Sequence, residues 1–306
     1  MTLVTLPGRD WVDRVGPISG LELAVWDMTA APDRADEVRV VVPPYMGAGD
    51  LVHRLSLVPQ VELVQLLTAG YETVQPVLPE GARLANAAGV HDASTAELAV
   101  TLCLASLRSV PDFVVAQRDR TWLPTTSFHQ ALADKRVLVL GYGSIGRAIA
   151  ARLTPFEVTV TAVASRPRAG DELVASVHGV DELPSLLPAH DVVIVVVPLS
   201  SSTAGLVDDE FLAAMPDGAL LVNVARGGVV DTDALVRHAE AGRIRAALDV
   251  TDPEPLPGDH PLWSAPGVLI TPHVGGASTA FVPRAVRLLQ EQLGAFAAGR
   301  PLRNLV

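Results

Sequence analysis

The chain alternates short, almost unbroken apolar runs with longer stretches in which apolar side chains recur at helical spacing. Runs of about four to eight apolar residues between turn residues read as strands buried on both faces, and the helical recurrence reads as helices with one buried face. In the first third, Leu21–Trp26, Val38–Val42 and Val61–Leu66 are predicted strands. Asp50 is the expected cap of a helix that runs through Leu57 and stops at Pro59. A long helix is predicted from Asp92 or Ser94 through Leu107, stopping at Pro111, with Ala96, Ala99, Leu102, Cys103 and Ser106 on its buried face.

From Arg136 the alternation becomes regular. The strand Val137–Leu140 is followed by a glycine-rich turn and a helix over Ser144–Leu153, ended by Pro155. Further strands are predicted at Val158–Val163, Val192–Val197, Ala219–Val224, Ile244–Asp249 and Val268–Ile270. Helices follow Asp208-Asp209 and Asp231-Thr232-Asp233, where aspartate suits the N-cap. Buried strands alternating with helices describe an α/β protein with a doubly wound parallel sheet. The last helix, Thr279–Ala298, carries Val282, Val286, Leu289, Leu293 and Phe296 on one face and is expected to return to the first domain. The expected organisation is a discontinuous substrate-binding domain over residues 1–92 and 280–306, interrupted by a dinucleotide-binding domain over 93–279.

Composition narrows the function. A chain of 306 residues holds two ordinary domains, and 49% hydrophobic residues exclude a disordered one. A formal net charge of −11 argues against a nucleic-acid surface, so an anionic substrate would need a local cation. Cys103 is the single cysteine, which forbids an internal disulfide and fits a reducing compartment. Met1–Asp10 lacks the basic stretch of a signal peptide, and Val192–Val197 is too short to cross a membrane. A cytoplasmic protein with no membrane partner and no metal site is therefore expected.

Gly141-Tyr142-Gly143-Ser144-Ile145-Gly146 lies between a predicted strand and a predicted helix, the context in which this spacing binds a dinucleotide. Gly141 permits a tight turn, Gly143 lets the backbone approach a pyrophosphate, and Gly146 allows close helix–strand packing. The N–H groups opening the helix then face the anion. The next strand ends in Val163-Ala164-Ser165-Arg166-Pro167-Arg168, where an acid would take the ribose of NAD. No acid is present. Ser165 and Arg166, or Arg168, suit a 2′-phosphate instead, so NADP(H) is expected over NAD(H), with NAD(H) a second option.

Three other segments supply the means to reduce a 2-keto acid, which needs a cation for the carboxylate and a proton donor for the developing alkoxide. Arg226 lies just past a predicted strand in Asn223-Val224-Ala225-Arg226-Gly227-Gly228-Val229-Val230-Asp231, where ligands bind in open α/β sheets. Glu254 is flanked by prolines in Asp249-Val250-Thr251-Asp252-Pro253-Glu254-Pro255-Leu256, which limits its backbone freedom. His273 follows a third strand in Thr271-Pro272-His273-Val274-Gly275-Gly276 and is the residue type suited to proton exchange near neutrality.

These segments, in this order, resemble the D-isomer-specific 2-hydroxyacid dehydrogenase family, close to its hydroxypyruvate and glyoxylate reductase members. Weaker similarity covers Leu67-Thr68-Ala69-Gly70-Tyr71-Glu72 and His91-Asp92-Ala93-Ser94-Thr95-Ala96-Glu97. The resemblance implies a Rossmann-type doubly wound sheet plus a second, smaller flavodoxin-like α/β domain. It also implies Arg226 as substrate anchor, His273 as acid/base and Glu254 as its partner. The Ala69-Gly70 backbone would bind the carboxylate, and Asp249 would face the nicotinamide carboxamide. Ser144, Ile145, Val197, Pro198, Val224, Ala225, Arg226, His273 and Gly275 would line the cofactor. A homodimer built around the cofactor domain is expected as well.

The sequence departs from the family pattern at Ala164, where many NAD-using members carry an acid, and at Glu157, where glycine is common. Glu254 argues against formate oxidation, whose enzymes carry an amide there. Two other readings share the fold: a non-catalytic, NAD(H)-responsive scaffold and a phosphite-type dehydrogenase. The substrate-side loop Pro43-Pro44-Tyr45-Met46-Gly47-Ala48 does not separate them.

Overall fold

A computed structural model describes residues 1–45, 52–124 and 128–306. Asp50 and the Met46-Gly47-Ala48 part of the substrate-side loop lie outside the described residues. The chain divides into two compact units, Met1–His91 with Thr279–Val306, and Asp92–Ser278.

Unit 1 holds β1 (Thr2–Leu6), α1 (Arg9–Val15), β2 (Leu21–Val25), β3 (Val38–Val41), β4 (Leu63–Gln65) and β5 (Arg83–Ala85). Its sheet runs β2-β1-β3-β4-β5 with every neighbouring pair parallel, the flavodoxin-like order. The apolar pattern does not announce β1 or β5. Threonines interrupt β1, although Thr5 is buried, and β5 is a three-residue strand beside polar Asn86. In place of the helix expected through Leu57 stands a 3₁₀ segment, Val52–Leu57. Its buried Val52 and Leu55 lie three residues apart, which suits three residues per turn.

The C-terminal helix, Phe281–Ala297, covers one sheet face with Phe281, Ala285, Leu288, Leu289 and Leu293. Leu289 and Leu293 belong to the predicted stripe, whereas Val282 and Phe296 pack at its margin and Val286 is half-buried. The buried face also takes in Gln292. Its Nε2 donates to Gln65 Oε1 at 2.8 Å and to the Arg303 carbonyl at 2.9 Å, while its Oε1 accepts from the Arg303 N–H at 3.0 Å. Stranding a buried amide costs about 1–3 kcal/mol, so these bonds tether the C-terminal segment to β4.

Unit 2 opens with α2 (Asp92–Leu107) and α3 (Val110–Arg118). Helix α2 has the predicted bounds and buries Ala96, Ala99, Leu102, Cys103 and Leu107 against the sheet. Burial pushes the Cys103 thiol up to about 12, the state of an inert core cysteine. The sheet is built from β6 (Arg136–Leu140), β7 (Thr159–Ala164), β8 (Arg168–Ala169), β9 (Ser176–Gly179), β10 (Val192–Val195), β11 (Ala219–Asn223), β12 (Ile244–Leu248) and β13 (Val268–Ile270). Helices α4 (Ser144–Leu153), α5 (Leu183–Leu186), α6 (Asp209–Ala214) and α7 (Thr232–Glu240) connect them. Asp208 and Asp231 cap α6 and α7, accepting from the Phe211 and Ala234 N–H groups.

The strand order is β13-β12-β11-β10-β6-β7-β9-β8, parallel throughout except for β8 against β9. This is the Rossmann order over β9-β7-β6-β10-β11-β12, with a further strand at each edge, β8 and β13. After β6 the chain proceeds to one side of the sheet and after β10 to the other, so a switch point lies between them. Leu140, Val195, Asn223, Leu248 and Ile270 are paired across neighbouring strands and form one level row at the carboxyl ends. Strand β10 stops at Val195, two residues before its predicted end, and Val196-Val197 begin the loop. The pattern also misses β8 and β9, which lack an apolar run. Among the described residues no single helix is long and apolar enough to cross a membrane. Helices α2 and α3, bent by 68°, reach the length only as a pair, and α2 is core.

Candidate active site

The level row of strand ends brings the chemistry-bearing loops to one edge. After β11, Asn223 folds the chain back by donating from Nδ2 to the Arg226 carbonyl at 3.0 Å and accepting from the Ala225 N–H at 3.0 Å. Arg226 is half-buried, and its Nη1 donates to the Ala225 carbonyl at 2.7 Å. A Cβ on Gly227 would stand 1.9 Å from the Thr251 carbonyl oxygen. Glycine at that position therefore lets the Arg226 loop lie directly against the loop that carries Glu254.

Asp249 ends β12 and is 2% exposed. Its Oδ1 accepts from Thr271 Oγ1 at 2.6 Å and the Val274 N–H at 2.9 Å, and its Oδ2 accepts from the Gly275 N–H at 2.7 Å. The His273 N–H adds a bond to the Asp249 carbonyl at 2.7 Å. One buried carboxylate thus organises the whole loop after β13. The sequence marks Asp249 as an acid at a strand end and the family resemblance sets it against the nicotinamide carboxamide, but this organising role needs the fold to be seen.

That loop holds His273 at φ +54°, the left-handed region, with its ring toward Glu254. His273 Nδ1 lies 2.6 Å from Glu254 Oε1. A carboxylate only accepts, so Nδ1 carries the proton and Nε2 is the nitrogen left for a substrate. The two side chains are 46% and 41% exposed, open to solvent and to a ligand. A cavity of about 410 Å³ beside the pair is lined by Glu254, Leu256, Trp263, Ile270, Thr271 and His273.

The loop after β6 meets a different demand. Gly141 has φ +109°, and a Cβ there would lie 2.6 Å from the Val196 carbonyl oxygen. A Cβ on Gly146 would lie 1.9 Å from the Gly141 carbonyl oxygen. Gly143 is different, because nothing stands within 4 Å of its missing Cβ. Among the described residues no atom accounts for glycine there, while a pyrophosphate lying against the backbone does. Gly143 is also the N-cap of α4 and supplies no side-chain cap, as suits a helix start aimed at an anion. The residues present therefore fit a dinucleotide.

The remaining predicted positions fall around these loops. Ser144 Oγ donates to Asp92 Oδ1 at 3.1 Å, tying the starts of α4 and α2 together. Ile145 is half-buried, Val197 and Pro198 follow β10, and Val224 and Ala225 follow β11 as buried residues. Gly275 faces Asp249 and Thr95, where a Cβ would meet Asp249 Oδ2 at 2.9 Å. Ala164 closes β7, and Ser165 and Arg166 beyond it are exposed. Ala69 and Gly70 lie in unit 1 after β4, their carbonyls accepting from Asn86 Nδ2 and Thr68 Oγ1. Assigning their N–H groups to a substrate rests on the family resemblance. Among the described residues no group of His, Cys, Asp or Glu is arranged to hold a metal ion.

A family model for the D-isomer specific 2-hydroxyacid dehydrogenase NAD binding domain matches residues 100–275. The chain belongs to this family. It is an NAD(P)-dependent D-2-hydroxyacid dehydrogenase, an oxidoreductase with a Rossmann-type cofactor unit and a second α/β unit. The dehydrogenase is 32% identical to the glyoxylate reductase/hydroxypyruvate reductase of Homo sapiens over 224 residues, 71% of this chain and 68% of that protein. A D-isomer specific 2-hydroxyacid dehydrogenase from Xanthobacter autotrophicus Py2, solved with NADPH and MES, matches with TM-score 0.84 and 30% identity over 100% of this chain and 97% of that one. An NADPH-dependent glyoxylate/hydroxypyruvate reductase from Sinorhizobium meliloti, solved with NADP and malonate, matches with TM-score 0.79 and 27% identity. That match covers 99% of this chain and 96% of the other.

Proposed function

We propose that this dehydrogenase reduces a small 2-keto acid of the glyoxylate or hydroxypyruvate kind, using NADPH in preference to NADH. The observation that carries the reading is the 2.6 Å contact between His273 Nδ1 and Glu254 Oε1, on the sheet edge that also presents Arg226. Arg226 anchors the substrate carboxylate with a planar guanidinium that stays charged. The bound nicotinamide supplies the hydride that adds to C2. His273 donates a proton from Nε2 to the carbonyl oxygen as negative charge develops there. Glu254 fixes the ring and stabilises the imidazolium through a charge-assisted hydrogen bond. The ring is then recharged from solvent, to which its exposure gives access.

The glycine loop, Val197, Val224 and Asp249 hold the dinucleotide in this reading. Preference for NADPH is supported by Ala164 in place of an acid and by exposed Ser165 and Arg166 next to it. The NADPH and NADP bound to the two structural relatives agree with it. A homodimer through α3 and the segment after it is supported by Phe113, Val114, Val115, Trp122, Leu123 and Phe128, which are all exposed. Light scattering at twice the 32.1 kDa chain mass tests that assembly.

The deciding experiment follows NADPH oxidation with glyoxylate, hydroxypyruvate, pyruvate, phenylpyruvate and branched keto acids, repeated with NADH. The highest kcat/KM is expected for glyoxylate or hydroxypyruvate with NADPH. Turnover confined to the bulky keto acids would sink the substrate assignment, and a preference for NADH would sink the cofactor assignment. No turnover on any of them, with stable capture of a protein partner, would favour a cofactor-responsive scaffold.

A further inference from the structure

Tyr142 fills the variable position between the first two glycines of the cofactor loop, yet it is only 6% exposed. Its ring packs among Ala150, Ala162, Ala164, Val174 and Val177. Its hydroxyl donates to both carboxylate oxygens of Asp171, at 3.0 and 3.1 Å. Its backbone carbonyl accepts from Arg168 Nη2 at 2.7 Å, and the Arg168 guanidinium carbon lies 5.9 Å from the ring centroid. One residue of the glycine loop therefore grips both an arginine and an aspartate of the segment that follows β7.

That segment is unusual for its place. A mononucleotide-binding half normally joins its second and third strands through a helix. Here β8 turns back against β9 as a tight hairpin. A Cβ on Gly170 would stand 1.9 Å from the Val174 carbonyl oxygen, so glycine is required for the turn. Asp171 shapes the same turn by accepting from the Leu173 and Val174 N–H groups at 2.9 and 3.3 Å. Its Oδ2 also accepts from Arg147 Nε on α4 at 2.9 Å, and Arg147 pairs with Glu172 as well. These bonds keep the groups in the charge states they need. The Leu173 N–H, foremost among several donors, holds Asp171 below the usual carboxylate range, and burial first, then Asp171, pushes the Tyr142 hydroxyl up to about 12. Tyr142 remains the donor and Asp171 the charged acceptor across the working range.

The two arginines beyond Ala164 differ in consequence. Both are exposed, but Arg168 is stacked on the Tyr142 ring and hydrogen-bonded to the loop that meets the pyrophosphate. Ordering a long side chain costs conformational entropy, and a guanidinium already tethered has lost that freedom before a ligand arrives. The bond to Tyr142 uses one of its five N–H groups. Arg147 pairs with both Asp171 and Glu172, so the carboxylates of this corner already have a cationic partner.

We propose that Tyr142 and Asp171 are positioning residues for cofactor choice, fixing the β8–β9 hairpin to the glycine loop and holding Arg168 where it pairs with the 2′-phosphate of NADPH. The proposal rests on the NADPH preference argued above. Tyr142→Phe removes only the hydroxyl and keeps the ring in its core, and Asp171→Asn removes the charge with little change of shape. Each is compared with the parent enzyme by steady-state kinetics on both cofactors, after thermal melting has verified folding. KM for NADPH is expected to rise roughly three- to tenfold, the effect of losing one well-placed hydrogen bond. At saturating NADPH kcat is expected to hold, and KM for NADH to change little. A merely structural role would weaken both cofactors alike. A parent enzyme that prefers NADH would overturn the reading on which this rests. A parent that prefers NADPH, with the cofactor ratio unmoved in both variants or an equal loss on both cofactors, would overturn the positioning role alone.

Discussion

The loop after β6 and the loops after β11, β12 and β13 share one sheet edge and are built in opposite ways. The first is made by leaving atoms out. Gly141 and Gly146 avoid backbone oxygens that a Cβ would strike, and Gly143 leaves open space. The second is made by burying a charge, because both oxygens of Asp249 are engaged by the loop that carries His273. A cofactor cradle needs room for backbone N–H groups to approach an anion, whereas an acid/base pair needs its ring held in one orientation. One region is local in the chain; the other is assembled from three strands.

His273→Ala breaks the second region and leaves the first. Its kcat is expected to fall about 10²–10⁴-fold, the usual contribution of a positioned general acid. NADPH affinity by fluorescence titration should be retained, and near-normal turnover would remove His273 from the mechanism. Asp249→Asn attacks the same region from beneath. An amide cannot accept from all three donors, and stranding one costs about 1–3 kcal/mol. A lower Tm together with a reduced kcat is expected; full activity in a protein melting normally would deny that Asp249 organises the loop.

The glycine pair separates fold from ligand on the other side of the comparison. Gly146→Ala drives a Cβ into the Gly141 carbonyl, and such overpacking costs about 1–3 kcal/mol, visible as a lower Tm. Gly143→Ala meets no atom of the described residues within 4 Å, so Tm should hold while KM for the cofactor rises, roughly tenfold for ~1.4 kcal/mol of lost binding. A reduced Tm with unchanged KM would show that Gly143 serves the fold instead.

Much of unit 2 was legible because its strands are buried on both faces and leave unbroken apolar runs. Helix α2 and helix α4 have the bounds their patterns predict. Strands β1, β5, β8 and β9 were not legible, since threonine, short length or polar neighbours hide a strand whose pairing is supplied by its partners. The C-terminal helix was readable as a helix, but its buried stripe depends on Gln292 finding Gln65 and Arg303.

By itself the sequence determined the dinucleotide loop and the residue types Arg226, Glu254 and His273 at their strand ends. Those features depend on short-range order: a strand, a turn and a helix within a few residues. Only the tertiary structure decided that Glu254 meets His273, that Asp249 ties their loops together, and that Tyr142 reaches Arg168 and Asp171. Such contacts follow from the parallel register that levels Asn223, Leu248 and Ile270, and from a hairpin where a helix is usual. Register is a property of paired strands, and no single stretch of chain contains it.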